Sequence, residues 1–441
     1  MGVDLKMHFG VAMAATTVTF AAFGATYRFA CDHADARYRL GEPAKITVSV
    51  VEKDSSLVKT GGCSICLNNC FGRVVKGGRS VDLARENPFT VTGTLNEPGF
   101  LGVSIAGKGV VWSVGFEPEK IRTGAPRPDD FDAFWRTAIE NLDRTTPPDL
   151  CLEKDEKAST PAAVAYRISF ATAGGTRVYG FYTAPTDRAK GPYPAFVNVP
   201  GAGLGVSGRP RAWTDRVTLT MNVHRFEPQP DAKAQGVAYA AQQKALNGQY
   251  GFAKGYNCDK YWVMGASASR EDYFYYAAIL GINRAVRWLA ERPEVDRTKI
   301  LYSGTSQGGA FGCYLAGLNP GLFRRSVIVV PALCDHLGGR AGRRAGWPQL
   351  LAGVVDPKKA ETIAPYFDAA HFAARIANPV RFRVGLADIM CPPASVYAAF
   401  NAVPVADKRI TDMIGCGHGD GPAEFSKADA AWLTEGVFPR K

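Results

Sequence analysis

The sequence predicts an α/β fold with a mostly parallel sheet, preceded by a small all-β domain that resembles an immunoglobulin-like sandwich. Residues 26–117 contain short β-branched runs separated by turns rich in glycine and proline. From residue 163 onward, apolar strands alternate with helical segments, a pattern typical of a parallel sheet with helices on both faces. The 441 residues are enough for two such domains.

The hydrophobic content and the charge of the chain limit the classes of protein to which it can belong. Hydrophobic residues make up 46% of the chain, which supports a sizeable core and excludes wholesale disorder. The formal net charge is +11, yet the basic residues are scattered, and the densest group is Arg340, Arg343 and Arg344. The sequence contains no zinc-finger or RNA-binding motif. We therefore expect a solvated basic surface and no nucleic-acid partner.

The N-terminus has the features of a secretory signal. Residues 9–25 form an uncharged apolar run after Lys6 and His8, and it ends in small residues that suit cleavage. A transmembrane anchor is the alternative, but a run of about 17 residues lies at the short edge for spanning. We predict that residues 1–25 are a signal peptide, that the protein is exported to the periplasm or the exterior, and that no membrane span remains.

The cysteines are compatible with either compartment. Four of the ten, Cys31, Cys63, Cys66 and Cys70, lie in the first domain, three of them in one short segment. Four thiols could form a zinc cage or two disulfides, and the spacing lacks a clean pair of CxxC knuckles. For an exported chain we expect one or two disulfides, with the connectivity open.

The first domain shows strand patterns and no catalytic constellation. Its clearest strands are residues 45–53, 89–95 and 99–107. We expect a structural or spacer domain, with carbohydrate or partner binding as the alternative.

A linker rich in proline and charge, residues 117–130, leads to a helix at residues 130–142. Asp129 or Asp130 is expected to cap this helix. Its apolar residues recur at helical spacing and are expected to pack onto the second domain, which we place at residues 118–441.

The second domain begins with an antiparallel pair and continues as a parallel sheet. Residues 164–172 and 177–185 are expected to pair around the Gly174–Gly175 turn. Residues 193–203 are an apolar strand that runs into glycines, and a long amphipathic helix covers residues 273–293. Further buried strands are expected at residues 299–304, 326–332 and 380–388.

The segment GTSQGGA contains the candidate nucleophile. Gly304, Ser306 and Gly308 match G-x-S-x-G, with a strand before the motif and a small-residue helix, residues 309–318, after it. This context is that of a nucleophile elbow, in which the serine lies on a sharp strand-to-helix turn. A glycine-rich loop without chemistry is the alternative, and the flanking elements favour the elbow.

An elbow serine needs a base and an acid that follow it in the chain in the order Ser, acid, His. His418 lies in a glycine-rich loop after the last strand, where an imidazole can reach the sheet edge. His371 lies in a helical pattern, and His336 comes too early for an acid to precede it. We therefore predict His418 as the base.

Asp388 is the predicted acid, because it directly follows a buried strand and precedes His418. Asp335 also follows a strand and is the runner-up. The other candidates, which we place in loops or helices or beside the base, are Asp356, Asp368 and Asp420.

These residues predict acyl transfer through an acyl-enzyme, with no metal and no cofactor. The oxyanion needs backbone donors. We predict one from the N–H of Gln307 and the other from the N–H of Ala202, in the glycine-rich turn after residues 193–198.

The combination GTSQGGA, GLADIMCPPASVYAAFN and a late histidine resembles the acetyl xylan esterase and cephalosporin-C deacetylase family of carbohydrate esterases. The resemblance extends from about residue 126 to the C-terminus. It implies an α/β-hydrolase that removes small acyl groups, typically acetyl, from sugar hydroxyls. It also implies Ser306 as nucleophile, Asp388 as acid and His418 as base.

The sequence departs from that family at several points. Pro200-Gly201-Ala202 stands where the family usually has His-Gly-Tyr, and Arg225-Phe226-Glu227 corresponds loosely to its Arg-Gly-Gln motif. Gly419 replaces the usual glutamate after the base, and residues 229–269 form a longer, unfamiliar segment. The family often forms ring-like oligomers. A homo-oligomer is therefore one expected state of this protein, and a monomer is the alternative if the added N-terminal domain blocks that assembly.

The resulting prediction is an exported serine esterase acting on acetylated xylan-type carbohydrate. The alternatives are a broad-specificity esterase or serine peptidase on the same fold, or a catalytically impaired carbohydrate-binding protein. The altered turn at residues 200–202 is the only support for the last of these.

Overall fold

The computed structural model describes residues 15–22, 25–69, 73–105, 109–250, 260–419 and 421–438. The chain divides into two compact units. The first comprises residues 1–121 with 414–417, and the second comprises residues 122–413 with 418–441. The division falls four residues beyond the predicted boundary at residue 117.

The first unit is built from two β-sheets. Its strands are β1 (Ala15–Ala22), β2 (Ala25–Cys31), β3 (Arg37–Tyr38), β4 (Ala44–Val51), β5 (Gly62–Asn69), β6 (Arg73–Asp82), β7 (Phe89–Gly93), β8 (Gly99–Ile105) and β9 (Gly109–Phe116). The strand orders are β1-β2-β4-β7 and β3-β9-β8-β5-β6. Alternate residues of β4 are buried, and Phe29 stacks on Trp112 with ring centroids 5.8 Å apart. This period-two burial is the reason why β-branched runs form strands here.

The predicted signal segment and cysteine cluster fall in this unit. Strand β1 pairs antiparallel with β2, so cleavage after residue 25 would remove β1 from the sheet. Cys31, Cys63 and Cys66 are free thiols, and Cys70 lies outside the described residues. The expectation of a disulfide among the three described cysteines is therefore not met in this structure, in which they lie on β2 and β5 of different sheets.

The second unit contains a nine-stranded mixed sheet in the order β10-β11-β12-β14-β13-β15-β16-β17-β18. Its strands are β10 (Cys151–Lys154), β11 (Ala163–Thr172), β12 (Thr176–Pro185), β13 (Tyr193–Asn198), β14 (Val217–Met221), β15 (Val295–Thr305), β16 (Arg325–Val329), β17 (Val380–Gly385) and β18 (Lys408–Met413). The strands from β14 to β18 run parallel, and their carboxyl ends meet at one edge of the sheet.

The described α-helices of this unit lie before, between and after its strands along the chain. They are α1 (Phe131–Thr145), α2 (Ala232–Tyr250), α3 (Phe274–Ala290), α4 (Gln307–Leu318), α5 (Leu350–Gly353), α6 (Pro357–Ile363), α7 (Ala369–Ala373), α8 (Pro393–Ala402) and α9 (Ala423–Thr434). Both α3 and α4 are buried along most of their length, as expected of helices that pack on a parallel sheet. Across the described residues, every helix is too short or too polar to cross a membrane.

Two local predictions meet different outcomes. The antiparallel pair is confirmed, because β11 pairs with β12 and the turn uses Gly174 and Gly175 at φ of 68° and 66°. Asp130 is the residue before α1, but its carboxylate makes no capping hydrogen bond. That carboxylate accepts instead from the Tyr366 hydroxyl, so a tertiary partner has displaced the local one.

Candidate active site

Ser306 lies between β15 and α4 in a backbone conformation that few non-glycine residues adopt. Its φ is 58° and its ψ is −119°. Hydrogen bonds hold this conformation: the Ser306 N–H donates to the Val329 carbonyl at 2.9 Å, and the Ser306 carbonyl accepts from Ala310 and Ala332, both at 3.0 Å. The backbone is therefore fixed from the helix side and from the neighbouring strand.

The glycines of the nucleophile elbow, residues 304–308, are required by close contacts. A Cβ atom on Gly308 would lie 2.0 Å from the Val199 carbonyl oxygen, and one on Gly304 would lie 2.4 Å from the Gly308 carbonyl oxygen. Side chains at either position would force the backbone apart. The G-x-S-x-G pattern thus has a steric cause in this fold.

Asp388 and His418 are brought together at the carboxyl ends of β17 and β18. His418 Nδ1 donates to Asp388 Oδ2 at 2.7 Å. Asp388 is fully buried, and its Oδ1 accepts from the backbone N–H groups of Met390 at 2.8 Å and Cys391 at 2.9 Å. These three hydrogen bonds fix the carboxylate, which in turn fixes the imidazole orientation and leaves Nε2 available for a proton.

The Cys391 thiol is a neighbour that sequence reasoning missed. Ligand atoms of Asp388, Cys391 and His418 lie within 4.8 Å of one another, and the Ser306 hydroxyl is a hydrogen-bond partner of the thiol. Burial raises the pKa of the Cys391 thiol well above its ordinary value, which favours its neutral form. The 2.7 Å contact between Asp388 and His418 has the length of a hydrogen bond.

Asp335, the runner-up for the catalytic acid, lies at the carboxyl side of β16, and its carboxylate is bonded to Arg343 and to the Gly124 N–H. Its Oδ2 accepts from Arg343 Nη2 at 2.8 Å, and its Oδ1 accepts from the Gly124 N–H at 2.6 Å. Burial raises its pKa, and Arg343 opposes that change. Arg343 is itself nearly buried, so its predicted place on a solvated basic surface is wrong.

The remaining histidine and aspartate candidates lie outside the pair formed by Asp388 and His418. His371 lies on α7, where its Nδ1 bonds the Pro365 carbonyl at 2.8 Å. Asp356 and Asp368 cap α6 and α7 by accepting from backbone N–H groups. His336 is buried, and Asp420 lies outside the described residues.

The predicted oxyanion donors lie on two neighbouring segments. Gln307 is the first residue of α4, where a backbone N–H has no partner within the helix. Ala202 belongs to the oxyanion turn, residues 199–203, which follows β13. A Cβ atom on Gly201 would lie 3.9 Å from Ser306 Cβ, which places this turn against the serine.

The Gln307 side chain connects the elbow to the oxyanion turn. Its amide nitrogen donates to the carbonyls of Pro200 at 3.2 Å and Gly201 at 3.4 Å. Its amide oxygen accepts from the hydroxyls of Tyr261 at 2.8 Å and Tyr275 at 2.7 Å. Gln307, Tyr261 and Tyr275 are buried, and Pro200 and Gly201 are partly exposed. The network is therefore costly to break on the Gln307 side, and it ties the turn to the elbow.

Tyr261 and His224 also hold the turn directly. The Gly203 N–H donates to the Tyr261 hydroxyl at 3.4 Å, and His224 Nε2 donates to the Gly203 carbonyl at 2.8 Å. Gln242 donates to His224 Nδ1 at 3.0 Å, so the imidazole is neutral, with its proton on Nε2. Burial lowers the pKa of His224 to about 4. The turn that departs from the family pattern thus has its own support, partly from the unfamiliar segment 229–269.

Comparison with known proteins identifies the family. Residues 117–341 and 356–435 match the family model described as acetyl xylan esterase (AXE1). The acetyl esterase Axe7A of Xylanibacter ruminicola is 29% identical over 399 residues, which span 87% of this chain and 84% of that protein.

Solved structures share the fold. Acetyl xylan esterase 1 from Thermoanaerobacterium sp. JW/SL YS485 aligns with a TM-score of 0.56 and 23% identity, over 72% of this chain and 97% of that one. The acetyl xylan esterase from Paenibacillus sp. R4 aligns with a TM-score of 0.56 and 22% identity, over 72% and 98%. The predicted α/β-hydrolase fold is confirmed. Because the family model spans most of the chain, the protein belongs to the acetyl xylan esterase family and is a carboxylic ester hydrolase.

Proposed function

We propose that the protein removes acetyl groups from sugar hydroxyls of xylan-type or related oligosaccharides. The observation that carries the proposal is the 2.7 Å bond between His418 and buried Asp388, at the sheet edge where the Ser306 elbow lies. Together with membership of the family, it supports a Ser306–His418–Asp388 triad acting on acetyl esters.

The mechanism proceeds through an acyl-enzyme. The Ser306 hydroxyl attacks the acetyl carbonyl carbon while His418 Nε2 accepts its proton, and Asp388 stabilises the resulting imidazolium. The tetrahedral oxyanion receives hydrogen bonds from the N–H groups of Gln307 and Ala202. Loss of one such donor typically costs about 2.7–4 kcal/mol of transition-state stabilisation. His418 then protonates the departing sugar oxygen.

Deacylation repeats the same proton transfers with water. His418 removes a proton from a water molecule, whose oxygen attacks the acetyl-serine carbonyl carbon. Collapse of the second tetrahedral intermediate releases acetate and returns the proton to Ser306. Neither step needs a metal or a cofactor.

The test is acetate release from acetylated xylo-oligosaccharides by the purified protein. We expect turnover in the wild type and none above background in Ser306→Ala, which removes only the nucleophilic oxygen. Equal urea midpoints for the two proteins would serve as the folding control. Turnover of p-nitrophenyl acetate without any sugar-ester activity would instead support a general esterase.

We also propose that the protein is exported, on the basis of the apolar run at residues 9–25. N-terminal sequencing of protein secreted from a producing cell should find a mature chain that begins close to residue 25. An intact N-terminus on exported protein, or retention in the cytosol, would contradict this.

A further inference from the structure

Two loops contact Ser306 from different strands. The oxyanion turn follows β13, and a Cβ atom on Gly201 would lie 3.9 Å from Ser306 Cβ. The acid loop, residues 386–392, follows β17, and the thiol of its Cys391 is a hydrogen-bond partner of the Ser306 hydroxyl. Ser306 is partly exposed, so the groups that these two loops present to solvent border the space that an ester must enter.

The oxyanion turn contributes very little side-chain bulk to this border. Gly201, Ala202 and Gly203 follow one another, so a single methyl group is the whole side-chain content of three residues. Ala202 is exposed, and a Cβ atom on Gly203 would meet no atom of the described residues within 4 Å. In the described part of the structure, the turn therefore faces open space at residues 202 and 203.

Both loops expose large apolar side chains within three residues of the groups that contact Ser306. Leu204, three residues after Gly201, is 39% exposed. In the acid loop, Ile389 is 46% exposed and Met390 is 44% exposed. Single exposed apolar residues are ordinary on protein surfaces, whereas several of them grouped around a nucleophile mark a surface that binds a ligand.

The chemistry of this border favours hydrocarbon over charged or polar groups. The oxyanion turn has no charged residue, and the one charged residue of the acid loop, Asp388, is fully buried and bonded to His418. An acetyl group presents one methyl to such a border. A butanoyl or hexanoyl chain adds CH₂ groups, and each of them gains about fourfold in affinity when it is fully buried.

We propose that the acyl side of the site accepts straight-chain acyl groups longer than acetyl, and that Ala202 is the residue that sets this length. The chain covers the apolar side chains of Leu204, Ile389 and Met390. The proposal rests on the ester hydrolysis at Ser306 proposed above and widens it from acetyl to butanoyl and hexanoyl esters. The bonds formed and broken are the same, and water releases butanoate or hexanoate in place of acetate.

The first measurement is kcat/KM of the wild-type protein on p-nitrophenyl acetate, butanoate and hexanoate. We expect kcat/KM on butanoate to equal or exceed that on acetate, because the site has room for the longer chain and an apolar surface for it. A lower value on butanoate than on acetate would overturn the proposal and leave the acetyl esterase function standing. Absence of turnover on all three esters would overturn the proposed function itself.

Ala202→Tyr tests the residue that sets the length. Ala202 is exposed and its φ lies outside the left-handed region, so its backbone admits a larger side chain. We expect the butanoate-to-acetate ratio of kcat/KM to fall by about tenfold in Ala202→Tyr and to keep its wild-type value in Ala202→Ser, the control of similar size.

The ratio is the readout because the Ala202 N–H is also the proposed oxyanion donor. A displaced backbone would lower the rates on both esters together and leave the ratio unchanged. An unchanged ratio in Ala202→Tyr would therefore overturn the role of Ala202 in acyl length.

Met390→Ser tests the apolar surface, and Leu152→Ser is its matched control. Leu152 is 41% exposed, close to Met390, and lies on β10, five strands away from β15 in the sheet. We expect the hexanoate-to-acetate ratio of kcat/KM to fall by about threefold in Met390→Ser and to keep its wild-type value in Leu152→Ser. An unchanged ratio in Met390→Ser, or an equal fall in both variants, would show that the acyl chain does not cover this surface.

Discussion

Asp335 and Asp388 have similar settings and different partners. Each follows a parallel strand, β16 or β17, at the same edge of the sheet, and each is fully buried. Asp335 pairs with Arg343, a permanent cation, and with a backbone N–H. Asp388 pairs with His418, which can gain and lose a proton, and with two backbone N–H groups.

We infer from this difference that the partner determines the role of a buried carboxylate. A carboxylate that faces a guanidinium neutralises a fixed charge and stabilises a loop. A carboxylate that faces an imidazole stabilises a charge that appears only during catalysis. Strand position leaves two aspartates as candidates for the catalytic acid, and the contact with His418 favours Asp388.

The largest expected effect separates the two aspartates directly. Asp388→Asn should lower kcat by about 10⁴-fold, because the imidazole loses its orienting acceptor and its stabilised imidazolium. Asp335→Asn should leave kcat within a few fold and lower the free energy of unfolding by about 3–5 kcal/mol, since the nearly buried Arg343 loses its charged partner. Steady-state kinetics and urea unfolding of both variants measure this. The reverse pattern would make Asp335 the catalytic acid.

The second prediction concerns the effect of a buried histidine, His224, on stability. His224 has a pKa of about 4 in the folded chain and its ordinary 6.5 when unfolded, so the unfolded state binds the proton first as the pH falls. The stability present above pH 6.5 should drop by about 3 kcal/mol between pH 6.5 and pH 4. Urea unfolding across this range should show a shallower pH dependence in His224→Gln. An unchanged slope would show that His224 is not buried as a neutral base.

The third prediction concerns the oxyanion turn. The Tyr261 hydroxyl is hydrogen-bonded to Gln307 and to the Gly203 N–H of the turn, whereas the Tyr275 hydroxyl donates to the Gln307 amide oxygen. Tyr261→Phe should therefore lower kcat by about tenfold with KM little changed, through a displaced backbone donor. Tyr275→Phe is the matched control and should have a smaller effect on kcat. Equal losses in the two variants would show that the Gly203 contact contributes nothing.

The smallest effect is expected at Cys391, whose thiol lies beside Asp388 and is a partner of Ser306. A thiol makes weak hydrogen bonds, so Cys391→Ala should change kcat by about threefold. A loss comparable to that of Asp388→Asn would mean that the thiol takes part in proton transfer. Steady-state kinetics on p-nitrophenyl acetate measure the change without depending on the sugar.

The sequence was sufficient for features that depend on local pattern and chain order. The elbow around Ser306 is a contiguous motif with a strand before it and a helix after it. Asp388 and His418 follow from strand ends and chain order. The helix predicted at residues 309–318 starts at Gln307, two residues earlier.

The remaining features depend on contacts between distant segments. Tyr261 donates a hydrogen bond to Gln307, which is 46 residues away in the chain. No local sequence pattern predicts that bond. The fixed partner of Asp335 is eight residues away, across a turn whose glycines and arginines suggest a solvated surface. Asp129 or Asp130 is predicted to cap α1, but the Asp130 carboxylate accepts a hydrogen bond from Tyr366 instead.

The central claim, that Ser306 is activated by His418 and Asp388, is tested most directly by labelling with a fluorophosphonate followed by peptide mapping. We predict a single labelled residue, Ser306, at equal rates in the wild type and Asp335→Asn, and labelling slower by orders of magnitude in Asp388→Asn. Folded wild-type protein that is not labelled at Ser306, or that is labelled equally fast in Asp388→Asn, would contradict the account.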